Sequence, residues 1–134
     1  MKKLGFTIFA AAVLVLPLCA QVADTVRAEI PFEFTVQNTT AAPGTYVIRF
    51  QDGSPVVQLA GSRSYFAQTT ANSFYTSQQE PKLVFHRYGN QYFLSQIWTT
   101  SAIRNIPMSR MERELKKTAA AARQMQTEIV LAMR

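Results

Sequence analysis

Cysteine and histidine are nearly absent from this chain, which has one of each, Cys19 and His86. A single cysteine cannot close an intramolecular disulfide, so a packed core must hold the fold together. Zinc and iron sites draw on several His and Cys ligands, and here there are too few. His86 therefore reads as an ordinary strand histidine beside Arg87. Glycine is scarce too, at five residues, and none stands in a phosphate-cradling loop. Ser54, Ser64 and Ser95 lack a Gly-x-Ser-x-Gly setting and would have to share one possible base. Glu29 and Glu33 fall on one strand face about 13 Å apart, outside the roughly 5 to 9.5 Å of a glycosidase pair. These absences argue against an enzyme, and no catalytic residue, cofactor or metal is expected.

The chain does have one long apolar run, Leu4 to Leu16, and it lies directly after Met1-Lys2-Lys3. Pro17 ends that run, and Leu18-Cys19-Ala20 offers a small residue at a cleavage edge. A positive start, an apolar middle and a small-residue end are the parts of a secretory signal. The run is shorter than the roughly 20 residues that span a bilayer, and polar Gln21, Asp24 and Arg27 follow at once. Residues 1–20 are thus expected to be a signal helix, cleaved after Ala20. The alternative is a lipid on Cys19, since Leu16 to Cys19 loosely follows a lipobox, although Leu18 stands where a small residue belongs. Membrane contact is expected only through this segment.

Cleavage would remove Lys2 and Lys3 and lower the formal charge of +6 by two. Much of the remaining excess sits in the tail. There Arg110, Arg113, Lys116, Lys117, Arg123 and Arg134 face only Glu112, Glu114 and Glu128. Charges of both signs, with Glu112 placed for Lys116 at i,i+4, suit a solvated helix face better than a nucleic-acid surface. No nucleic acid is expected as a partner.

Residues 21–108 read as one β-domain. From Val26 to Val36 apolar and polar residues alternate strictly, which predicts a half-buried strand with an edge or bulge at Pro31. Tyr46, Ile48 and Phe50 mark a second strand. Asp52-Gly53 turns it into a third at Val56 to Leu59, and Tyr65 to Thr69 gives a weaker fourth. Residues 72–81 read as a loop. Lys82 to Tyr88 and Gln91 to Thr99 flank the tight turn Gly89-Asn90, and both faces of this hairpin are apolar. It should therefore be central and covered on both sides. The natural cover is a helix over 109–134. It starts at a Ser109-x-x-Glu112 capping box in which hydroxyl and carboxylate each satisfy a backbone N–H. Met111, Leu115, Thr118, Ala122, Met125, Ile129 and Ala132 run along it as a narrow stripe.

Three stretches together resemble a group of short exported bacterial proteins that carries no assigned activity. They are Ile30-Pro31-Phe32-Glu33-Phe34-Thr35-Val36, Pro43-Gly44-Thr45-Tyr46, and the run from Lys82 to Trp98. Pro107 to Leu115, a Pro-x-Ser-Arg-x-Glu-Arg-Glu-Leu run, completes the likeness, which spans most of residues 28–115. The turn before Gly44 is shorter than in that group, and Trp98 to Pro107 lacks glycines. The resemblance implies an exported β-domain and transfers no site.

The expected fold is mainly β: an antiparallel sandwich or partly open barrel of about six strands, closed by a long C-terminal helix. The residues that could bind a ligand are Arg87, Tyr88, Tyr92, Phe93 and Trp98, aromatics and a cation that could stack on sugar rings or peptides. Core packing is the competing reading of the same residues. The expected role is a non-enzymatic periplasmic, envelope or secreted binding module, with a ligand or envelope protein as partner. The alternative is an assembly protein that self-associates or meets a partner through its C-terminal helix.

Overall fold

The computed structural model describes residues 25–51, 53–72, 80–100 and 102–134, so the expected signal helix and Cys19 lie outside the described residues. The chain is mainly β and forms two sheets. The first holds β1 (Thr25–Ile30), β4 (Gly44–Phe50), β5 (Val56–Ala60) and β6 (Ser64–Gln68), all antiparallel and in the order β1-β4-β5-β6. The second runs β11 (Thr127–Ala132), β8 (Lys82–Tyr88), β9 (Gln91–Trp98), β10 (Ile103–Asn105), β7 (Thr70–Asn72). Beside the start of β9 lies β2 (Phe34–Val36), parallel to it, with β3 (Thr39–Ala41) folded back on β2.

Alternation decides which residues fill the space between the sheets. Ala28, Ile30, Tyr46, Ile48, Phe50, Val57, Leu59 and Ala67 face inward from the first sheet. Phe34, Val36, Leu83, Phe85, Leu94 and Ile97 meet them from the second. Phe85 stands edge-on to both Phe32 and Phe34, with ring centroids 5.1 and 5.6 Å away. Edge-on contacts of this kind suit the ring quadrupole and add to the burial itself. Along one side the sheets are joined by backbone: Arg27 and Arg134 exchange both amide hydrogen bonds, at 2.8 and 3.0 Å. The result is sandwich-like and not a closed barrel.

Three expectations need correcting. The single strand over 26–36 is two, because the chain crosses from one sheet to the other at Pro31–Glu33. Pro31 has no amide to give to a ladder, so the crossing costs no pairing there. Six strands become eleven among the described residues, largely through the three-residue pieces β2, β3, β7 and β10. The third correction is the largest. The helix spans Arg110–Ala121 and not 109–134, and Thr127–Ala132 is a strand paired antiparallel with β8.

The helix stops because Arg123 enters the left-handed region, at φ 54. Its amide then donates to Ala120 and that of Gln124 to Ala119, at 3.2 and 2.9 Å. This is the paired-bond arrangement that glycine usually supports at a helix end. Beyond it the open edge of β8 outcompetes further helix. Six residues pair there in continuous register, and Ile129 and Leu131 reach the core margin.

Candidate functional site

The hairpin β8–β9 has two apolar faces because each covers something different. Leu83, Phe85, Leu94 and Ile97 point into the sandwich. Val84, Tyr88 and Phe93 are buried as well but lie outside that core. A bulge in the register at Val84/Phe85, where Ser95 has no opposite residue, keeps Ile97 on the inner face. On the outer face the cross-strand pairs are Lys82–Trp98, Val84–Gln96, His86–Phe93 and Tyr88–Gln91. Helix α1 (Arg110–Ala121) packs on the β8 side of this face.

What fastens α1 is a carboxylate. Glu112 is the helix's one buried residue, at 4 % exposure, and its Oε1 accepts from both neighbours on β8. Nδ1 of His86 lies 2.9 Å away and the Tyr88 hydroxyl 3.2 Å away. Ser109 caps the helix by accepting the Glu112 amide at 3.2 Å. Only the serine half of the expected capping box forms in this way, because the Glu112 side chain turns to the sheet. Burial, then the Glu112 charge, then the hydrogen bond to it push the Tyr88 hydroxyl up to about 12. Tyr88 therefore stays a neutral donor at any physiological pH. A histidine held by a carboxylate is part of a nucleophilic triad. Here, however, the nearby hydroxyl donates to that same carboxylate, so the three groups interlock and anchor the helix.

The five residues singled out as possible ligand contacts do not share one surface. Tyr88 and Phe93 are buried on the helix side of the hairpin, with rings edge-on at 5.8 Å. Trp98 is on the same side but at the far end of the hairpin, half-buried. Lys82 Nζ lies 3.9 Å above its ring, and its Nε1 donates to Gln96 at 3.0 Å. Gln96 in turn donates to Asn105 at 2.9 Å, so the indole is held from several directions. Arg87 and Tyr92 occupy the opposite face. Tyr92 stacks on Phe32 at 4.0 Å, and Arg87 sits 5.4 Å from the Tyr92 ring while its Nε donates to the Gly89 carbonyl. Glu29 and Glu33 are exposed, and among the described residues no group of three metal-ligating side chains occurs.

Sequence reasoning missed two features. In sequence Glu112 reads as a helix-capping residue, and nothing local marks it as the partner of a histidine 26 residues away. The second is a groove of about 510 Å³ between α1 and the β2–β3 turn, lined by Asn38, Arg110, Met111, Glu114, Leu115 and Thr118. Met111 is 51 % exposed along it. The stripe Met111–Leu115–Thr118 was legible in the helix, but the turn that makes it a groove was not. No family model, no curated protein and no solved structure matches the chain.

Proposed function

We propose that the protein is an exported, non-enzymatic binding module of the cell envelope or the secreted fraction, and that the groove along α1 is its contact surface. The observation that carries this reading is Met111, held half in solvent at the apolar wall of that groove, with Arg110 and Glu114 at its rim. An apolar wall with charges of both signs at the edge suits a peptide segment with apolar anchors and flanking charges. The groups most able to do chemistry, His86, Tyr88 and Glu112, are committed to one another beneath the helix. Export rests on the order of charge, apolar run and small residue at the start of the chain. A second reading, assembly through the helix, draws on the same exposed stripe. In that case the groove would receive another copy of α1.

The test is a photoreactive phenylalanine analogue at position 111, irradiated in the producing cells, with the exposed Arg113 as control position. Adducts to other envelope or secreted proteins, specific to position 111, support the binding module. Adducts at twice the chain mass move the assembly reading ahead. No adduct beyond the control would remove the groove as a contact surface.

A further inference from the structure

Strand β6 ends the first sheet with no guarding charge or proline of its own, and the β2–β3 turn reaches only its Gln68 end through Gln37. Its five residues, Ser64-Tyr65-Phe66-Ala67-Gln68, include no charge and no proline, and they pair with β5 in unbroken register. Edge strands ordinarily carry such guards, because unpaired N–H and C=O groups template pairing with another chain.

The phase of the ladder shows which groups are open. The Thr69 amide donates to Pro55 at 2.7 Å and the Gly61 amide to Arg63 at 3.0 Å. Alternate residues share that direction, so Tyr65 and Ala67 bond toward β5 while Ser64, Phe66 and Gln68 turn their backbone groups outward. One of these already acts as an acceptor, since the Gln68 carbonyl takes an N–H from the Gln37 side chain at 3.3 Å. Phe66, at the middle, is 63 % exposed, the one aromatic in the exposed range among the described residues.

We infer that β6 is the pairing edge of a two-fold dimer, in which β6 of a second copy lies antiparallel to it and centred on Phe66. The occupant is a second copy because the strand is complementary to itself. In this register Phe66 meets Phe66, Ser64 meets Gln68 and Tyr65 meets Ala67. The nearest charge, Arg63, falls opposite Thr69, so no like charges meet. Cross-strand aromatic pairs stabilise a sheet and opposed like charges destabilise it. The two sheets become one continuous sheet, and the two phenylalanines cover each other on its solvent face. The contact is narrower than the roughly 800 Å² per partner of a standard interface, so the dimer depends on concentration. This surface meets the groove along α1 only at the β2–β3 turn, where Gln37 reaches Gln68 and Asn38 lines the groove, and the inference does not rest on the proposed binding role.

Sedimentation of the purified protein over a concentration series tests it. The weight-average mass should climb toward twice the monomer value. Phe66→Lys should hold it at the monomer value with an unchanged circular dichroism spectrum, and Met111→Lys should still dimerise. Should Phe66→Lys misfold, a Phe66→Cys variant in a Cys19→Ser background gives an independent reading. Directly hydrogen-bonded antiparallel residues lie about 5.5 Å apart at Cα, within disulfide range. Mild oxidation should therefore link Phe66→Cys chains several-fold faster than Ser62→Cys chains. A monomer at every concentration, a dimer that survives Phe66→Lys, or equal linking rates would overturn the inference.

Discussion

His86 and Glu112 meet at 2.9 Å from opposite sides of the boundary between sheet and helix, and this contact positions α1. The helix offers the sheet a carboxylate where most amphipathic helices offer a leucine. Its attachment is accordingly directional: it depends on two donors, His86 and Tyr88, arriving at one oxygen.

Replacing Glu112 with Ala leaves buried Tyr88 and partly buried His86 without their acceptor. The expected cost is about 2 to 3 kcal/mol, the scale for unsatisfied buried polar groups, read from a urea melt. The His86→Ala, Glu112→Ala double-mutant cycle should show a coupling of about 1 kcal/mol or more. Independent, additive effects would mean that the helix is held by something else.

Alkaline pH should weaken the fold through Tyr88. Its hydroxyl titrates at about 12 when folded against 10.0 as the ordinary value. Between those values the unfolded chain loses the proton while the folded chain keeps it, so the unfolded state is favoured as pH rises. The full contribution is about 2 to 3 kcal/mol, absent below pH 10 and complete above 12. Tyr88→Phe should therefore flatten the fall in stability between pH 10 and 12. An identical slope in the variant would place the effect elsewhere, for instance at Tyr46, which burial also raises.

Arg123 is held at φ 54, a conformation in which its Cβ is crowded. Arg123→Gly should relieve this and raise stability by about 0.5 to 1 kcal/mol, after the entropy that glycine loses on folding. The denaturation midpoint should rise with no change in slope. A fall would indicate that the arginine side chain contributes more than its backbone costs.

The register of β11 predicts opposite outcomes for adjacent residues. Ile129 pairs with Phe85 and packs at the core margin, whereas Val130 pairs with Val84 and is 54 % exposed. Ile129→Lys should cost several kcal/mol, because a charge would be taken into an apolar layer. Val130→Lys should fall within about 0.5 kcal/mol of the parent. If the two variants melt alike, the register is wrong by one residue.

These cases also mark what could be read from the sequence. Strict alternation placed Ala28, Ile30, Phe34 and Val36 inward correctly, and it ran on across Pro31 because the crossing to the other sheet keeps the phase. The Gly89-Asn90 turn and the Ser109 cap were local signals and were legible. The C-terminal strand was not. Met125, Ile129 and Ala132 fit a helical stripe as well as Ile129 and Leu131 fit a strand. The edge of β8 decides between them, and no local pattern announces it. Without a glycine at position 123, the helix end carried no mark either. The five residues read as possible ligand contacts all lie on the β8–β9 hairpin, but alternation alone does not tell which face the helix covers. The His86–Glu112 contact joins residues that only the tertiary fold brings together.

The position of β11 has a consequence for the order of events as the chain is made. A ribosome delivers β8 and β9 well before residues 127–132, so the strand that flanks β8 arrives after every other described strand. Until then the most apolar hairpin of the molecule has a bare edge, and Arg27 has no Arg134 with which to join the two sheets. Pairings this distant in sequence form slowly. The edge of β8 and this side of the sandwich therefore close only once residues 127–134 have been made.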